Sequence, residues 1–334
     1  MHEIPPALWD DFLHMLRTND RFMISSHINP DGDAIGSSLA VKRMLEKLGK
    51  DVLWVLDEDP GHAFYRFYQP EELHLLGQNG VTFEDRQVMV MVDASVWKRL
   101  GKTGAIMQDH PGLKLCVDHH RTEDHFPGVK FHDISSPSTT VIIYRIIRKL
   151  GLDFTFDLAE PIYLGMMVDT QNFHLPNTTI EAHEIASECM RAGVEPIKVH
   201  EPVFGTLRFS RMKLMSDAFN TVQLHFNGLV GVMYTTCKMF EEAGALKNDD
   251  EGFSDLIRMV EGVQVGIYLR EDSDGTIKVS WRSRGENNIE ISARKFGGGG
   301  HMRAAGALMR GKLKDVLRHV LEDMEERIQR GEIR

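Results

Sequence analysis

The sequence predicts an α/β protein: a doubly wound, mostly parallel sheet followed by a smaller α/β domain. Three observations predict it. Short apolar runs alternate with amphipathic helical patterns through the first half of the chain, as strands linked by crossover helices do. With 334 residues the chain exceeds one typical core at about 150 residues per domain. Gly193, Pro196 and Pro202 then break the pattern before strand runs resume. These breaks place a first domain over 1–190, a linker over 191–205 and a second domain over 206–334.

Each element has its own justification. Pro6 to Leu16 has the spacing of an amphipathic helix. Arg21 to Ser26 is short and apolar and stops at Asn29-Pro30, which makes it a buried strand. Ala34 to Leu48 puts Ile35, Leu39, Met44, Leu45 and Leu48 near one helical face, with Gly49 as its stop. Val52 to Leu56, Gln87 to Val92 and Leu113 to Val117 are strands. Thr139 to Leu150, Leu158 to Met167 and Glu181 to Arg191 are helices. In the second domain Leu229 to Tyr234, Val263 to Tyr268 and Ile277 to Trp281 are strands. Asp274-Gly275 is a hairpin turn between the last two, and Leu313 to Ile328 is a closing amphipathic helix.

Composition narrows the function classes. A chain that is 42% hydrophobic and 26% charged folds rather than staying disordered. No apolar run is long enough to span a membrane, and no secretory signal opens the chain. Cys116, Cys189 and Cys237 are isolated, without a C-x-x-C pair. That argues against a thiolate zinc site and fits a reducing cytoplasm. The net charge of −10 excludes a broad nonspecific DNA-binding surface. A local basic stretch runs from Lys278 to Arg310, where seven Lys and Arg face only Glu286 and Glu290, so a polyanionic substrate remains compatible.

The chemistry concentrates in four clusters, each after an apolar run: His27-Ile-Asn-Pro-Asp31-Gly-Asp33, Asp93, Asp118-His119-His120 and Asp169. In open parallel sheets ligands sit beyond the carboxyl ends of the strands, and His27, Asp93 and Asp118 each fall there. Carboxylates and imidazoles gathered in that way suit a two-cation hydrolytic site. Singly the residues are weak signals. Asp33 could cap the following helix, and Asp93 or Asp169 could be turn residues or caps. Gly36, Ser37 and Ser38, at a helix start, leave room for a phosphate. Further on, Gly297 to Gly300 could be a flexible linker. His301 and the surrounding arginines favour a loop whose backbone N–H groups approach an anion.

Together these motifs resemble the DHH phosphoesterases, and Phe296-Gly-Gly-Gly-Gly-His301 with Ala304-Ala305-Gly306 resembles the type 1 DHH-associated domain. The branch it resembles is that of the nanoRNase and pAp-phosphatase enzymes. The resemblance implies His27, Asp31 and Asp93 on one divalent cation. Asp33, Asp93, His119 and Asp169 would hold a second, with Asp93 bridging. Asp118 would support the imidazoles and His120 would face the scissile phosphate. Arg282, Ser283, Gly298, Gly299, Gly300 and His301 would bind substrate across a cleft between the domains. Mixed imidazole and carboxylate ligands favour Mn2+, with Mg2+, Co2+, Fe2+ and Zn2+ left open.

The implied activity is cleavage of very short oligoribonucleotides to mononucleotides, or of 3′-phosphoadenosine 5′-phosphate (pAp) to AMP, by a hydroxide bridging the cations. Linear or cyclic dinucleotides (pApA, pGpG, c-di-AMP) are the alternative substrates. A non-catalytic nucleotide-binding regulator is the alternative of another class. No membrane association and no stable protein partner are expected, while a homodimer is left open. The chain departs from the pattern at Gln171, where glycine is usual, at His174, where arginine is usual, and at Glu123, where asparagine is frequent. These departures bear on substrate preference.

Overall fold

The computed structural model describes residues 5–78, 81–121 and 126–334. The chain divides into two compact units, Met1–Thr206 and Leu207–Arg334.

The first unit contains strands β1 (Arg21–Ser25), β2 (Asp51–Leu56), β3 (Leu73–Leu75), β4 (Val88–Val92), β5 (Leu113–Asp118) and β6 (Val129–His132). Its helices are α1 (Pro6–Thr18), α2 (Gly32–Lys47), α3 (Gly101–Asp109), α4 (Thr139–Lys149), α5 (Phe156–Asp169), α6 (Ile180–Arg191) and α7 (Pro196–Phe204). The strands run in the order β3-β2-β1-β4-β5-β6, every pairing parallel. Strand order reverses between β1 and β4, so a crevice opens beyond their carboxyl ends. The five residues of β4 are all buried, because helices cover both faces of such a sheet. On one face Phe22, Ile24, Val88 and Val90 pack with Ile35, Leu39 and Leu45 of α2 and with Ile143 and Ile162. On the other, Met23, Met89, Met91 and Cys116 pack with Leu100 and Met107.

Helices α2 and α5 pack very closely, and glycine makes this possible. A Cβ on Gly36 would lie 2.4 Å from the Pro161 carbonyl oxygen, and one on Gly32 would lie 2.3 Å from Val168. This approach brings the start of α2, with Asp33, beside the end of α5, with Asp169. The stretch expected to be a linker is different from that expectation. Pro196 opens α7 at its first turn, where a missing N–H costs nothing, and Val199 is buried in the first unit's core.

The second unit contains α8 (Phe209–Phe219), β7 (Gln223–His225), β8 (Val230–Thr235), α9 (Cys237–Ala243), α10 (Phe253–Arg258), β9 (Val265–Glu271), β10 (Thr276–Ser283), α11 (Glu290–Lys295), β11 (Gly299–His301), β12 (Ala304–Arg310) and α12 (Leu313–Gln329). Its sheet has the order β11-β12-β10-β9-β8-β7, antiparallel except for β8 with β9. The β9–β10 hairpin turns at Gly275, whose φ of 77° favours glycine. Val316, Val320 and Met324 of α12 pack on one sheet face with Val279 and Trp281, and α8 and α10 contribute to a core on the other. Among the described residues, no helix is long and apolar enough to cross a membrane.

Candidate metal centre and substrate residues

The switch point of the parallel sheet collects the acid and histidine clusters. His27 follows β1 by two residues, Asp93 follows β4 directly, and Asp118 ends β5. Asp93 adopts a left-handed backbone with φ 55°, a conformation aspartate tolerates better than most residues. Asp31 is the N-cap of α2, its Oδ1 accepting from the Asp33 and Ala34 N–H groups at 3.0 Å. The cap is therefore Asp31 and not Asp33. Asp33 lies in the first turn, fully buried, and accepts from the backbone N–H groups of Thr139 (2.6 Å) and Thr140 (3.1 Å) at the start of α4. Asp169 is the last residue of α5, at the negative end of the helix dipole, where a carboxylate is stabilised by a nearby cation.

Three overlapping groups result: His27 with Asp31 and Asp93, Asp33 with His119 and Asp169, and Asp93 with His119 and His120. Within each, the ligand atoms lie within 4.8 Å of one another. The two oxygens of Asp93 face different histidines. Oδ2 lies 3.3 Å from His27 Nε2, while Oδ1 lies 3.7 Å from His119 Nε2 and 3.5 Å from His120 Nδ1.

The tautomers follow from the outer contacts. His27 Nδ1 sits 2.9 Å from the Ile28 carbonyl oxygen and His119 Nδ1 sits 3.2 Å from that of Ser136. A carbonyl only accepts, so each Nδ1 carries a proton, which leaves each Nε2 as the nitrogen that would turn a lone pair to a bound cation. His120 is turned the other way. Its Nδ1 is bound to Asp118 Oδ1 at 2.9 Å and its backbone N–H donates to the same oxygen. The ring is partly exposed, with Nε2 left for a ligand. Asp118 thus serves His120 alone, rather than both imidazoles.

The centre is buried but not sealed. Asp33, Asp93 and Asp118 are at most 1% exposed, whereas Asp31 and His120 open it to solvent. Burial drives the Asp93 carboxyl well above the ordinary carboxylate range, and the charges of Asp33, Asp31 and Asp169 push the same way. Burial and the charge of Asp33 raise Asp169 to about 7 against the pull of His119. Burial alone would lower His119, yet Asp169 and Asp33 hold it at about 9. Asp118 shows the opposite balance, since burial is outweighed by its hydrogen bonds with His120 and it sits at about 2.

These residues fit divalent cations. Among the described residues, the buried Nε2 of His119 has no well-formed hydrogen bond although Asp169 Oδ2 is 3.0 Å away. Four carboxylates crowd the same space, a repulsion that bound cations relieve. Hard oxygens mixed with imidazole nitrogen are the donors such cations take.

The space expected for a phosphate at Gly36, Ser37 and Ser38 is absent. Gly36 is pressed on α5, and both serine hydroxyls are buried and donate to the Ala34 carbonyl.

In the second unit, Arg282 lies on β10, with Nε 3.2 Å from Asp255 Oδ2 of α10. Ser283 alternates to the opposite face, where its buried hydroxyl donates to the Asn287 carbonyl at 2.5 Å, a contact that commits it to the fold. Arg284 donates to the Arg258 carbonyl. The glycine run is an edge strand rather than a linker. A Cβ on Gly298 would meet the Gly306 carbonyl and Ala307, and one on Gly300 would meet Ala304 and Ala305. Gly299 has open space over it, and His301 is exposed. Gln171, Asn172 and Phe173 are left-handed in succession, with φ 46°, 58° and 61°, so a glycine at 171 would be under less strain. Glu123 lies outside the described residues.

Sequence reasoning missed Thr139, Thr140, Gly165 and Asp255. A Cβ on Gly165 would fall 2.3 Å from Asp33 Oδ1, so its glycine makes the space that carboxylate occupies.

A parallel sheet carrying carboxylates and imidazoles at its switch point defines a candidate metallohydrolase. Residues 21–166 match the DHH family N-terminal domain and residues 231–330 match the DHHA1 domain. A protein from Thermus thermophilus described as bifunctional oligoribonuclease and PAP phosphatase NrnA is 35% identical over 312 residues, 92% of this chain and 90% of that one. Its namesake from Bacillus subtilis is 27% identical, covering 89% of this chain and 92% of the relative. The crystal structure of an exopolyphosphatase-related protein from Bacteroides fragilis has a TM-score of 0.90 at 27% identity, over 98% of both chains. The chain belongs to the DHH family of phosphoesterases.

Proposed function

We propose that this protein hydrolyses very short oligoribonucleotides to mononucleotides and pAp to AMP. The activities named for its relatives support the reading, and one observation of geometry carries it: Asp93 turns one oxygen to His27 and the other to His119 and His120. A carboxylate so placed can serve two cations at once. His27, Asp31 and Asp93 would hold one, and Asp33, Asp93, His119 and Asp169 the other. Mn2+ is the ion proposed, on the mixed nitrogen and oxygen donors.

Divalent cations, when bound by these residues, would supply Lewis-acid activation of water and neutralisation of charge on the phosphoryl oxygens. The protein's own groups do the rest. Asp118, anionic and buried, keeps a proton on His120 Nδ1 and fixes the ring, so that Nε2, when it too carries a proton, can donate to a phosphoryl oxygen or pass that proton to it. Buried side chains hold the ligands rigidly, which limits reorganisation during reaction. On the second unit, Arg282 would grip a phosphate of the substrate. Gly299 offers its backbone and His301 its ring to the nucleotide. The three free thiols suit a reducing compartment such as the cytoplasm.

A substrate panel tests the proposal: pAp, pApA, pGpG, RNA of two to ten residues and cyclic dinucleotides, each with Mn2+ or Mg2+. Mononucleotide release from dinucleotides and AMP from pAp are expected. Turnover of cyclic dinucleotides alone would replace this reading, and no turnover of any member would refute it.

A further inference from the structure

The first turn of α4 touches the metal-ligand candidates at three points. The backbone N–H groups of Thr139 and Thr140 donate to the two oxygens of Asp33, 106 and 107 residues away in sequence. The Thr139 hydroxyl donates to Asp93 Oδ1 at 2.9 Å. Ser138 caps the helix through the Val141 N–H, and its hydroxyl lies 2.7 Å from that of Thr140. Ser138, Thr139 and Thr140 are all fully buried. The turn is therefore a dry, hydrogen-bonded frame, and among the described residues its only side-chain bond to a carboxylate runs from Thr139 to Asp93.

We propose that Thr139 is a positioning residue that fixes the rotation of the Asp93 carboxylate, and through it the sharing of Asp93 between the two proposed cations. A carboxylate on a short side chain turns about one bond beyond Cβ. Among the described residues the Thr139 hydroxyl is the hydrogen-bond donor to Oδ1: His119 Nε2 stands off at 3.7 Å, and His120 Nδ1, 3.5 Å away, is given to Asp118. With that hydroxyl, one lone pair of Oδ1 is occupied. Oδ1 then keeps its heading toward the His119 group and Oδ2 its heading toward His27. Thr139 touches neither substrate nor reacting atoms and acts only through Asp93. The inference rests on the two-cation reading above. It adds a residue from outside the four clusters and ties both cation groups to one helix end.

The test uses full-length protein stripped of metal. Mn2+ binding is followed by titration calorimetry and by electron paramagnetic resonance, which reads coupling between paired Mn2+ ions. Thr139→Val keeps the shape and removes only the hydroxyl, and Thr139→Ser restores it. Loss of an outer contact of this kind costs metal affinity about 10- to 100-fold. Thr139→Val should therefore weaken binding of one of two Mn2+ ions by that factor and diminish the coupled signal, with Thr139→Ser close to wild type. Should valine fail to fold, Thr139→Ala removes the same hydroxyl and carries the same expectation. Two tightly bound, coupled Mn2+ ions in the folded valine or alanine variant would overturn the inference. Wild-type protein that binds no Mn2+ pair would instead overturn the two-cation reading itself.

Discussion

The two units treat charge in opposite ways. In the first, six proposed ligands and the Asp118–His120 pair are packed against one another, opening to solvent at Asp31 and His120, and the pKa values of Asp93, Asp169 and His119 are pushed up while that of Asp118 is held down. In the second, Arg282, His301 and Gly299 lie on an open sheet, each held by a light local contact or by none. The first arrangement is rigid because helix α2, helix α4 and helix α5 each contribute a terminus to it. The second depends on strand alternation and one ion pair. Machinery that must bind cations needs preorganisation, whereas surfaces that grip a flexible substrate gain from adaptable side chains. Substitutions in the first unit should consequently abolish turnover, and those in the second should shift substrate affinity.

The largest effect is expected at the centre of the first unit. Asp93→Ala or His119→Ala should lower kcat by about 10^3-fold or more, equivalent to roughly 4 kcal/mol of barrier. The circular dichroism spectrum should be unchanged. Steady-state assays on a dinucleotide with added Mn2+ measure this, and near-normal turnover in folded variants would break the metal assignment.

Metal removal comes next, and its pH dependence has a definite sign. Asp169 at about 7 and His119 at about 9 both lie above their unfolded values of roughly 3.9 and 6.5. The metal-free folded state thus holds more protons than the unfolded chain. The stability these two groups add is full below their unfolded values and disappears as pH rises through about 7 and then about 9. Metal-free Tm should fall between pH 6 and 9.5. The gain in Tm on adding Mn2+ should grow over the same window, by the mass action of a ligand that binds only the folded state. Scanning calorimetry at several pH values checks it, and a Mn2+ gain that shrinks with rising pH would count against the cluster.

Gly165→Ala sets two effects against each other. Alanine in a helix interior is worth about 1 kcal/mol over glycine. The new Cβ would stand 2.3 Å from Asp33 Oδ1 and 2.5 Å from the Thr140 methyl, contacts that force the carboxylate aside. Mn2+ affinity should drop about tenfold while Tm of the metal-free protein changes little. Unaltered Mn2+ affinity by titration would show that Asp33 has room to move.

The same contrast explains what could be read from the sequence. The acid and histidine clusters were legible because each follows an apolar strand run, and strand ends are where a parallel sheet presents ligands. Thr139 and Gly165 were not, since their role exists only once α4 and α5 pack against Asp33 from more than a hundred residues away. Pro196 looked like a break, but a proline at a first turn begins a helix as readily as it ends one, and Val199 had a core to join; Pro202 lies inside that same helix without ending it. In the second unit the β9–β10 hairpin was visible from Asp274-Gly275. Strands β11 and β12 were hidden, because glycine and alanine carry no apolar alternation. Pairing two such strands depends on their small size, which lets the backbones lie close.

The smallest effects belong to the second unit. Arg282→Ala removes a charged hydrogen-bond donor, worth about 1.5 kcal/mol if it grips phosphate, and KM should rise roughly tenfold with kcat nearly constant. Asp255→Asn should do less. The Arg282–Asp255 contact is about a third exposed on each side, and pairs of that kind contribute under about 1 kcal/mol. Losing the carboxylate charge while keeping an amide oxygen as acceptor should raise KM about two- to threefold. The ordering is the informative part. If Asp255→Asn lowers KM instead, Asp255 competes with substrate for the guanidinium and holds it in reserve until a phosphate arrives. If Arg282→Ala changes kcat rather than KM, Arg282 acts on the transition state, and the division between a rigid cleaving unit and an adaptable binding unit fails at that residue.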